Sequence, residues 1–214
     1  MCRLLYVNSI NLFNTSEYLS KFAEISKNSK EYQGHGWGCA YIQNNSWKYY
    51  KNVNPIWEDD FTKFGDTTRL VAHARSAFKN EGIVVENNMP FYDDKYVFIF
   101  NGELKGVRIK EEGRIGAEKI FNYIKRFDKG SMKEALKKGT EIITKQSTYV
   151  RAMNIITADM DSAYVYTQFN EDEEYFTMHV KSSGDSIVVC SDKLDGGNNW
   201  LSLPNNSLTE YKCY

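Results

Sequence analysis

The sequence has little proline and no long apolar run. Only 3 of its 214 residues are proline, and no Gly/Ser-rich or Pro-rich stretch divides the chain. We therefore expect a single domain over residues 1–214. No stretch approaches the roughly 18 apolar residues of a membrane-spanning helix. The N-terminus has no basic segment followed by a long apolar run, so no signal peptide is predicted.

Charge and cysteine usage exclude further classes. The chain has 27 Lys and Arg against 28 Asp and Glu, a formal net charge of −1. Its basic residues are scattered, which gives no footprint for nucleic acid. The four cysteines are too far apart for a zinc or redox CxxC motif, and the three histidines form no metal-binding motif. We expect reduced thiols, a cytoplasmic location, and neither a metal nor a cofactor.

The apolar pattern predicts an α+β fold with antiparallel sheets. Helices are predicted over residues 15–27, over residues 117–127, and from a capping box that begins at Ser131. Strands are predicted over residues 2–7, 36–42, 46–51, 70–74, 96–100, 152–158, 162–168, 174–180 and 186–190. Tight turns at 159–161 and 170–173 favour hairpins, and the separate helical block disfavours alternating βαβ units.

Cys2 is the first candidate for chemistry, because removal of Met1 would leave a free amine beside its thiol. An α-amine titrates at about 7.7–8.0 and a thiol near about 8.5, so both exchange protons near neutral pH. One residue would then supply nucleophile and base. The alternative is an ordinary cysteine at the second position.

Three other segments are candidate ligand contacts. The glycines at alternate positions of 34–38 leave one strand face bare, where a ligand or another backbone can approach. Arg75 ends an apolar strand, where a guanidinium is costly unless paired, and its planar fork suits a carboxylate. Asn101-Gly102 is either a hairpin turn or a pair of donors for an oxyanion. A tight sheet crossing and a structural ion pair are the alternatives for the first two segments.

Together these segments resemble the class II glutamine amidotransferases, whose catalytic domain is an N-terminal nucleophile hydrolase. The motifs that carry the resemblance are, in order, Met1-Cys2-Arg3, His35-Gly36-Trp37-Gly38, Ala72-His73-Ala74-Arg75, Glu86-Asn87 with Pro90-Phe91, Asn101-Gly102, and Cys190-Ser191-Asp192 followed by Trp200 and Leu203-Pro204. The likeness spans nearly the whole chain and is nearest to short stand-alone members, which include γ-glutamyl hydrolases. It implies a four-layer α/β/β/α sandwich with two mainly antiparallel sheets.

The resemblance also implies roles. Cys2 would attack the side-chain amide of glutamine or a related γ-glutamyl compound and form a thioester, and its α-amine would move the proton. Asn101 and Gly102 would hold the oxyanion, and Arg75 the substrate α-carboxylate. Further substrate contacts are expected from Gly36, Trp37, Ser76, Ala77, Gly116 and Glu118. Glutamate would leave after ammonia or an amine, and a separate subunit could receive the ammonia.

Three positions depart from the family pattern. Met89 and Phe100 stand where the family commonly has histidines. Gly116 stands where it usually has the Asp that holds the substrate ammonium, and Glu118 is the nearest acid that could compensate. A buried ammonium needs a partner, so we expect free glutamine to bind poorly.

Two other functions stay open. The chain could be an N-terminal cysteine hydrolase of a non-glutamyl amide, as in the bile-acid and penicillin amide hydrolases. It could instead be a catalytically degenerate binding or regulatory subunit. The sequence does not indicate the oligomeric state.

Overall fold

The computed structural model describes residues 1–213, and most of its regular structure is antiparallel strand. The strands are β1 (Arg3–Asn14), β2 (Trp37–Gln43), β3 (Ser46–Asn52), β4 (Asp66–Ala74), β5 (Phe91–Tyr92), β6 (Val97–Lys105), β7 (Tyr149–Ala158), β8 (Ser162–Thr167), β9 (His179–Ser183), β10 (Ser186–Cys190), β11 (Leu201–Ser202) and β12 (Ser207–Lys212). The α-helices are α1 (Thr15–Lys27), α2 (Gly116–Lys125), α3 (Met132–Lys145) and the single turn α4 (Glu173–Phe176). None of the helices in this part of the chain is long and apolar enough to cross a membrane.

The strands form two sheets that pack face to face. Within residues 1–213, one sheet has the strand order β11-β9-β10-β1-β4-β2-β3 and the other β12-β8-β7-β6-β5. Leu4 and Tyr6 of β1 share a core with Val97 and Ile99 of β6 between the sheets. Helix α1 covers the outer face of the first sheet, and α2 and α3 cover that of the second. The predicted four-layer α/β/β/α architecture is confirmed.

Local sequence signals account for the well-predicted elements. Helix α1 begins at Thr15, where the Asn14 side chain accepts a hydrogen bond from the Ser16 N–H at 3.0 Å. Leu19 and Phe22 of its apolar stripe are fully buried, and Tyr18 and Ile25 are partly buried. The predicted cap of α3 is present too, since the Ser131 hydroxyl accepts from the Glu134 N–H at 3.3 Å.

One predicted strand is wrong. Residues 174–180 were expected to be extended, but α4 ends at Phe176 and β9 begins at His179. The acidic segment before α4 is not a hairpin turn, because β8 belongs to the five-stranded sheet and β9 to the seven-stranded sheet. The chain crosses between sheets here, and period-2 patterning carries no information on which sheet a strand joins.

Candidate active site

Strand register brings the predicted site together at one end of the sandwich. Cys2 directly precedes β1, and Arg75 directly follows β4. Because Arg3 pairs with Ala74 in the antiparallel ladder, the two chain segments leave the sheet side by side. Strand β6 of the facing sheet then supplies Asn101 next to Cys2.

Cys2 is half-buried and is held through both its backbone and its sulfur. Its N–H donates to Asn101 Oδ1 at 2.8 Å. The Ser76 N–H donates to Cys2 Sγ at 3.5 Å, and the thiol lies 3.7 Å from the Ser76 carbonyl oxygen. A backbone N–H is a donor suited to a thiolate, so the contact of Ser76 with the Cys2 sulfur is made by its main chain.

The side-chain amide of Asn101 has its oxygen paired and its nitrogen without a partner among the described residues. Its side chain is fully buried, and Oδ1 accepts from the Cys2 N–H. Its Nδ2 has no hydrogen-bond partner among the described residues. Most buried donors in proteins are paired, so an unpaired donor beside a thiol is a candidate for stabilising an oxyanion.

Asn101 and Gly102 lie inside β6 rather than in a turn, so the hairpin interpretation is wrong. Gly102 pairs with Met153, and a Cβ at this position would lie 2.1 Å from the Ala152 carbonyl oxygen. The close approach of β7 therefore requires glycine. The role of the Gly102 N–H in an oxyanion hole stays a prediction.

Arg75 is a buried cation without a carboxylate partner among the described residues. It is 5% exposed, and its Nη1 donates to the Gly82 carbonyl at 2.9 Å and to Asn88 Oδ1 at 3.4 Å. Burial lowers the pKa of Arg75, and the nearby Cys2 thiol opposes that shift. The structural ion pair considered from the sequence is thus not formed within residues 1–213, and the guanidinium can take a ligand carboxylate.

The electrostatic surroundings of the thiol act in opposite directions. Burial raises the pKa of Cys2, while the chain's N-terminal ammonium, the Ser76 N–H and the Arg75 guanidinium lower it. His35 is held neutral, because burial and Arg75 lower its pKa and its Nδ1 accepts from the Ala77 N–H at 2.9 Å. His35 and Ala77 thus fix the backbone that runs past the sulfur.

Three residues around Met1 were not predicted from the sequence. The Met1 carbonyl accepts from Gln33 Nε2 and, at 2.7 Å, from the Tyr175 hydroxyl. The Met1 ammonium lies 3.6 Å from Glu31 Oε2. Gln33 is fully buried. No sequence motif contains Glu31 or Gln33. Tyr175 lies in α4, which sequence patterning predicted as strand.

The glycine-rich segment is packed against protein rather than open to a ligand. Gly36 has a φ of +102°, and a Cβ there would lie 2.1 Å from Asn88 Nδ2. Trp37 is fully buried in the core beneath α1, and its indole donates to Asp59 Oδ2 at 3.0 Å. The Trp37 side chain is thus committed to the core, and the expected substrate contacts of Gly36 and Trp37 stay predictions.

Gly116 and Glu118 lie at the start of α2, at a different place. Glu118 lines a cavity of about 350 Å³ together with Lys51 and Phe91, and neither Cys2 nor Arg75 is among its walls. The Glu118 carboxylate accepts hydrogen bonds from the Arg114 backbone N–H and guanidinium. Its pKa is lowered by that pairing. The carboxylate is thus paired with Arg114, and its expected part in holding a substrate ammonium stays a prediction.

The residues that the structure describes contain no cluster of three or more His, Cys, Asp or Glu side chains that could hold a metal. The four cysteines, namely Cys2, Cys39, Cys190 and Cys213, are free thiols.

Comparison with solved structures gives matches over nearly the whole chain. The glutamine phosphoribosylpyrophosphate amidotransferase from B. subtilis matches with a TM-score of 0.69 and 13% identity, over 99% of this chain and 49% of its own. A glutamine aminotransferase class-II domain protein from Silicibacter pomeroyi gives 0.62 and 13%, over 98% of this chain and 94% of its own. A predicted glutamine amidotransferase from Pseudomonas aeruginosa gives 0.63 and 13%, over 99% and 97%. No protein-family model matches the chain, and no curated protein sequence matches it significantly.

The chain has the fold of the class II glutamine amidotransferases. It spans about half the length of the B. subtilis enzyme and nearly all of the two shorter structures. Within this amidotransferase fold, the two apolar departures lie in the core, since Met89 is 3% and Phe100 7% exposed. They take up core volume, and within the described residues neither side chain makes a polar contact with Cys2.

Proposed function

We propose that the chain hydrolyses the side-chain amide of glutamine or a related γ-glutamyl compound through a thioester on Cys2, after Met1 is removed. One observation carries the proposal. Cys2 lies between an unpartnered buried amide donor on Asn101 and a buried guanidinium on Arg75 that has no carboxylate partner among residues 1–213. Donor, thiol and guanidinium match the carbonyl and carboxylate of a γ-glutamyl group.

The first step forms the thioester. Removal of Met1 turns the Cys2 N–H into an α-amine, which accepts the thiol proton at neutral pH. The sulfur adds to the amide carbonyl, and Asn101 Nδ2 donates to the oxyanion that forms. Asn101 Oδ1, now 2.8 Å from the nitrogen, accepts from the resulting ammonium and holds it beside the reacting bond.

The second step releases glutamate. The ammonium gives its proton to the leaving nitrogen as the C–N bond breaks. Water then adds to the thioester, the C–S bond breaks, and the thiol is regenerated. The hydrolysis itself needs no second chain. A separate subunit that receives the ammonia stays a prediction.

Substrate orientation follows from Arg75. A guanidinium that is buried and committed to two neutral oxygens keeps the full charge available for a ligand carboxylate. The Gly82 carbonyl and Asn88 side chain fix its plane. The α-carboxylate of a γ-glutamyl group would bind there, with the γ-carbonyl directed to Cys2.

The test uses protein whose Cys2 terminus is verified by intact-mass measurement. Glutamate release is followed from glutamine and from several γ-glutamyl amides, and acyl-enzyme is sought as a mass increase of one γ-glutamyl group. We expect Cys2→Ala to abolish both signals with little loss of stability. Cys213→Ala is the matched control, because that half-buried thiol contacts the Tyr6 hydroxyl, away from the site.

Other outcomes would favour the alternatives. Turnover of apolar acyl amides but of no γ-glutamyl compound would identify a different N-terminal cysteine hydrolase. Retained Met1 on protein from its own cells would indicate a binding or regulatory subunit, because the amide nitrogen of Cys2 cannot act as a base. Glutamate release that persists in Cys2→Ala would contradict the proposed mechanism.

A further inference from the structure

Met1 occupies a complete binding site beside Cys2. Its side chain packs against an apolar wall made by Ala152, Phe169, Tyr175 and Phe176. Its carbonyl accepts from Gln33 Nε2 and the Tyr175 hydroxyl, and its ammonium faces Glu31. The site therefore recognises three features at once, which are an apolar chain, an uncharged acceptor and a positive charge.

The partners of this site are themselves held in place. The Arg3 guanidinium lies 4.4 Å from the centre of the Tyr175 ring and pairs with Asp192 at 2.9 Å. The Tyr175 hydroxyl also contacts Gln33 Nε2 at 3.1 Å. Gln33 Oε1 is buried and without a partner among the described residues. The site is thus preformed by contacts that do not depend on Met1 alone.

The position of this site assigns it to one side of the reacting bond. The Met1 carbonyl carbon is bonded to the Cys2 nitrogen, so Met1 fills the space directly next to the future α-amine. In the proposed reaction that amine gives its proton to the leaving nitrogen. A leaving group that takes this proton lies against the α-amine, and the space that Met1 vacates is directly next to that amine.

We propose that, after Met1 is removed, the space it fills binds the amine part of the γ-glutamyl substrate and selects leaving amines that carry an apolar chain and an uncharged acceptor group. This inference rests on the proposed function. It makes a γ-glutamyl amide of an apolar amino-acid amide a better substrate than glutamine, whose leaving group is ammonia.

The charge around the site supports an uncharged or cationic leaving amine. Glu31 directs one oxygen at the Met1 ammonium, and its other oxygen lies 3.8 Å from Arg151. Arg151 also pairs with Glu103 and Asp172. A carboxylate on the leaving amine would meet Glu31 without a free cation beside it.

The chemistry is the same two-step hydrolysis, with the leaving group specified. The thiol adds to the γ-carbonyl, the C–N bond breaks, and the amino-acid amide leaves with the proton from the Cys2 ammonium. Water then cleaves the thioester to glutamate and free thiol. One substrate and one water give one glutamate and one amine, with no further reactant.

The experiment compares three probes on the full chain with a verified Cys2 terminus. The probes are γ-glutamyl-leucinamide, γ-glutamyl-glycinamide and glutamine, and the readout is kcat/KM for glutamate release. Burial of a leucine side chain predicts a preference of at least about tenfold for leucinamide over glycinamide. The two amides differ only in that side chain, so the ratio reports the apolar wall.

Two variants locate the preference. Phe169→Ala should lower the leucinamide-to-glycinamide ratio to about threefold or less, because it removes part of the wall. Tyr175→Phe keeps the ring and removes the hydroxyl, so it should lower kcat/KM for both amides relative to glutamine. Tyr211→Phe on β12 is the matched control and should leave all ratios unchanged.

The outcomes separate the two proposals. Equal kcat/KM for the three probes, or ratios unmoved by Phe169→Ala and Tyr175→Phe, would overturn the leaving-group site and leave the hydrolase intact. No glutamate from any probe and no acyl-enzyme would overturn the hydrolase itself. Should Phe169→Ala not fold, the Tyr175→Phe comparison decides, because it keeps the ring that packs in the wall.

Discussion

The replacement of Asn101 by alanine separates catalysis from stability. Asn101 is fully buried, yet its Nδ2 has no partner among the described residues. Its Oδ1 holds the Cys2 nitrogen. If Asn101 Nδ2 serves the proposed reaction, replacing Asn101 by alanine should change the free energy of unfolding little and lower kcat strongly.

The expected magnitudes follow from these contacts. Loss of one oxyanion donor lowers kcat by about 10²–10³. The lost hydrogen bond to Cys2 costs about 1 kcal/mol of stability, while removal of an unsatisfied buried donor returns about 1–3 kcal/mol. The net of the two changes is about 0–2 kcal/mol in favour of the variant, so the free energy of unfolding of Asn101→Ala should be equal to that of the parent or up to about 2 kcal/mol higher.

Asn154 offers a matched control directly across the strand pair. It is fully buried and pairs with Asn101 in the register of β6 and β7. Its Nδ2 donates to the Phe176 carbonyl at 2.7 Å, and its Oδ1 accepts from the Gln168 N–H at 3.2 Å. Asn154→Ala leaves both backbone groups unpaired and should cost about 2–4 kcal/mol.

Urea unfolding and steady-state glutamate release are measured on both variants. The reasoning is refuted if Asn101→Ala is as destabilised as Asn154→Ala, because Asn101 Nδ2 would then have a structural partner. A kcat within about threefold of the parent would refute the oxyanion role instead. Neither result can be explained by unfolding, since stability is measured on the same samples.

Three other predictions test the surroundings of the site. Arg75→Gln should raise KM roughly 10- to 100-fold with little change in kcat, because a charge-assisted contact to the substrate carboxylate is lost; steady-state kinetics check it, and an unchanged KM would contradict it. Burial lowers the pKa of His73 to about 3, so below about pH 6.5 the unfolded chain binds this proton more readily and stability falls by up to about 1.4 kcal/mol per pH unit. His73→Leu should flatten that slope in urea titrations between pH 6.5 and 4, and a parallel slope would count against the burial effect. Gly102→Ala should cost about 3 kcal/mol or more through overlap with the Ala152 carbonyl, whereas Gly116→Ala, whose Cβ meets no atom within 4 Å, should be neutral or stabilising by about 0.5–1 kcal/mol; thermal unfolding compares the pair, and equal effects would contradict it.

Sequence periodicity predicted the layers because local signals and tertiary burial agree in most elements. Helix α1 combines an Asn cap with an apolar stripe, and both survive in the fold. The strand predicted over residues 174–180 from Tyr175, Phe176 and Met178 is wrong, because α4 ends at Phe176 and β9 begins at His179. These side chains are buried by the inner packing of a crossing segment, so burial there does not depend on strand geometry.

Sequence motifs identified those residues of the candidate site whose side-chain chemistry is unusual for their place in the sequence. Cys2 and Arg75 stood out as a reactive and a costly residue at strand ends, Asn101 stood out as a possible donor after an apolar run, and strand register brings the three together although Asn101 lies inside β6. Gln33 and Tyr175 could not be found in this way, because each is an ordinary polar residue in its local sequence. Their role depends on a chain crossing that places α4 over the N-terminus.

The departures from the family pattern divide the site into two halves. Met89 and Phe100 are buried in the core, and Cys2 still lies beside Asn101. Gly116 stands at the start of α2, where the family usually has an Asp, and the nearby Glu118 is paired with Arg114. The groups to which the proposed function assigns bond making and breaking are thus in place, while position 116 carries no acid for a glutamine ammonium. Under the proposed function, recognition would then depend on other contacts, and the inferred Met1 site would supply them on the leaving-group side of the bond.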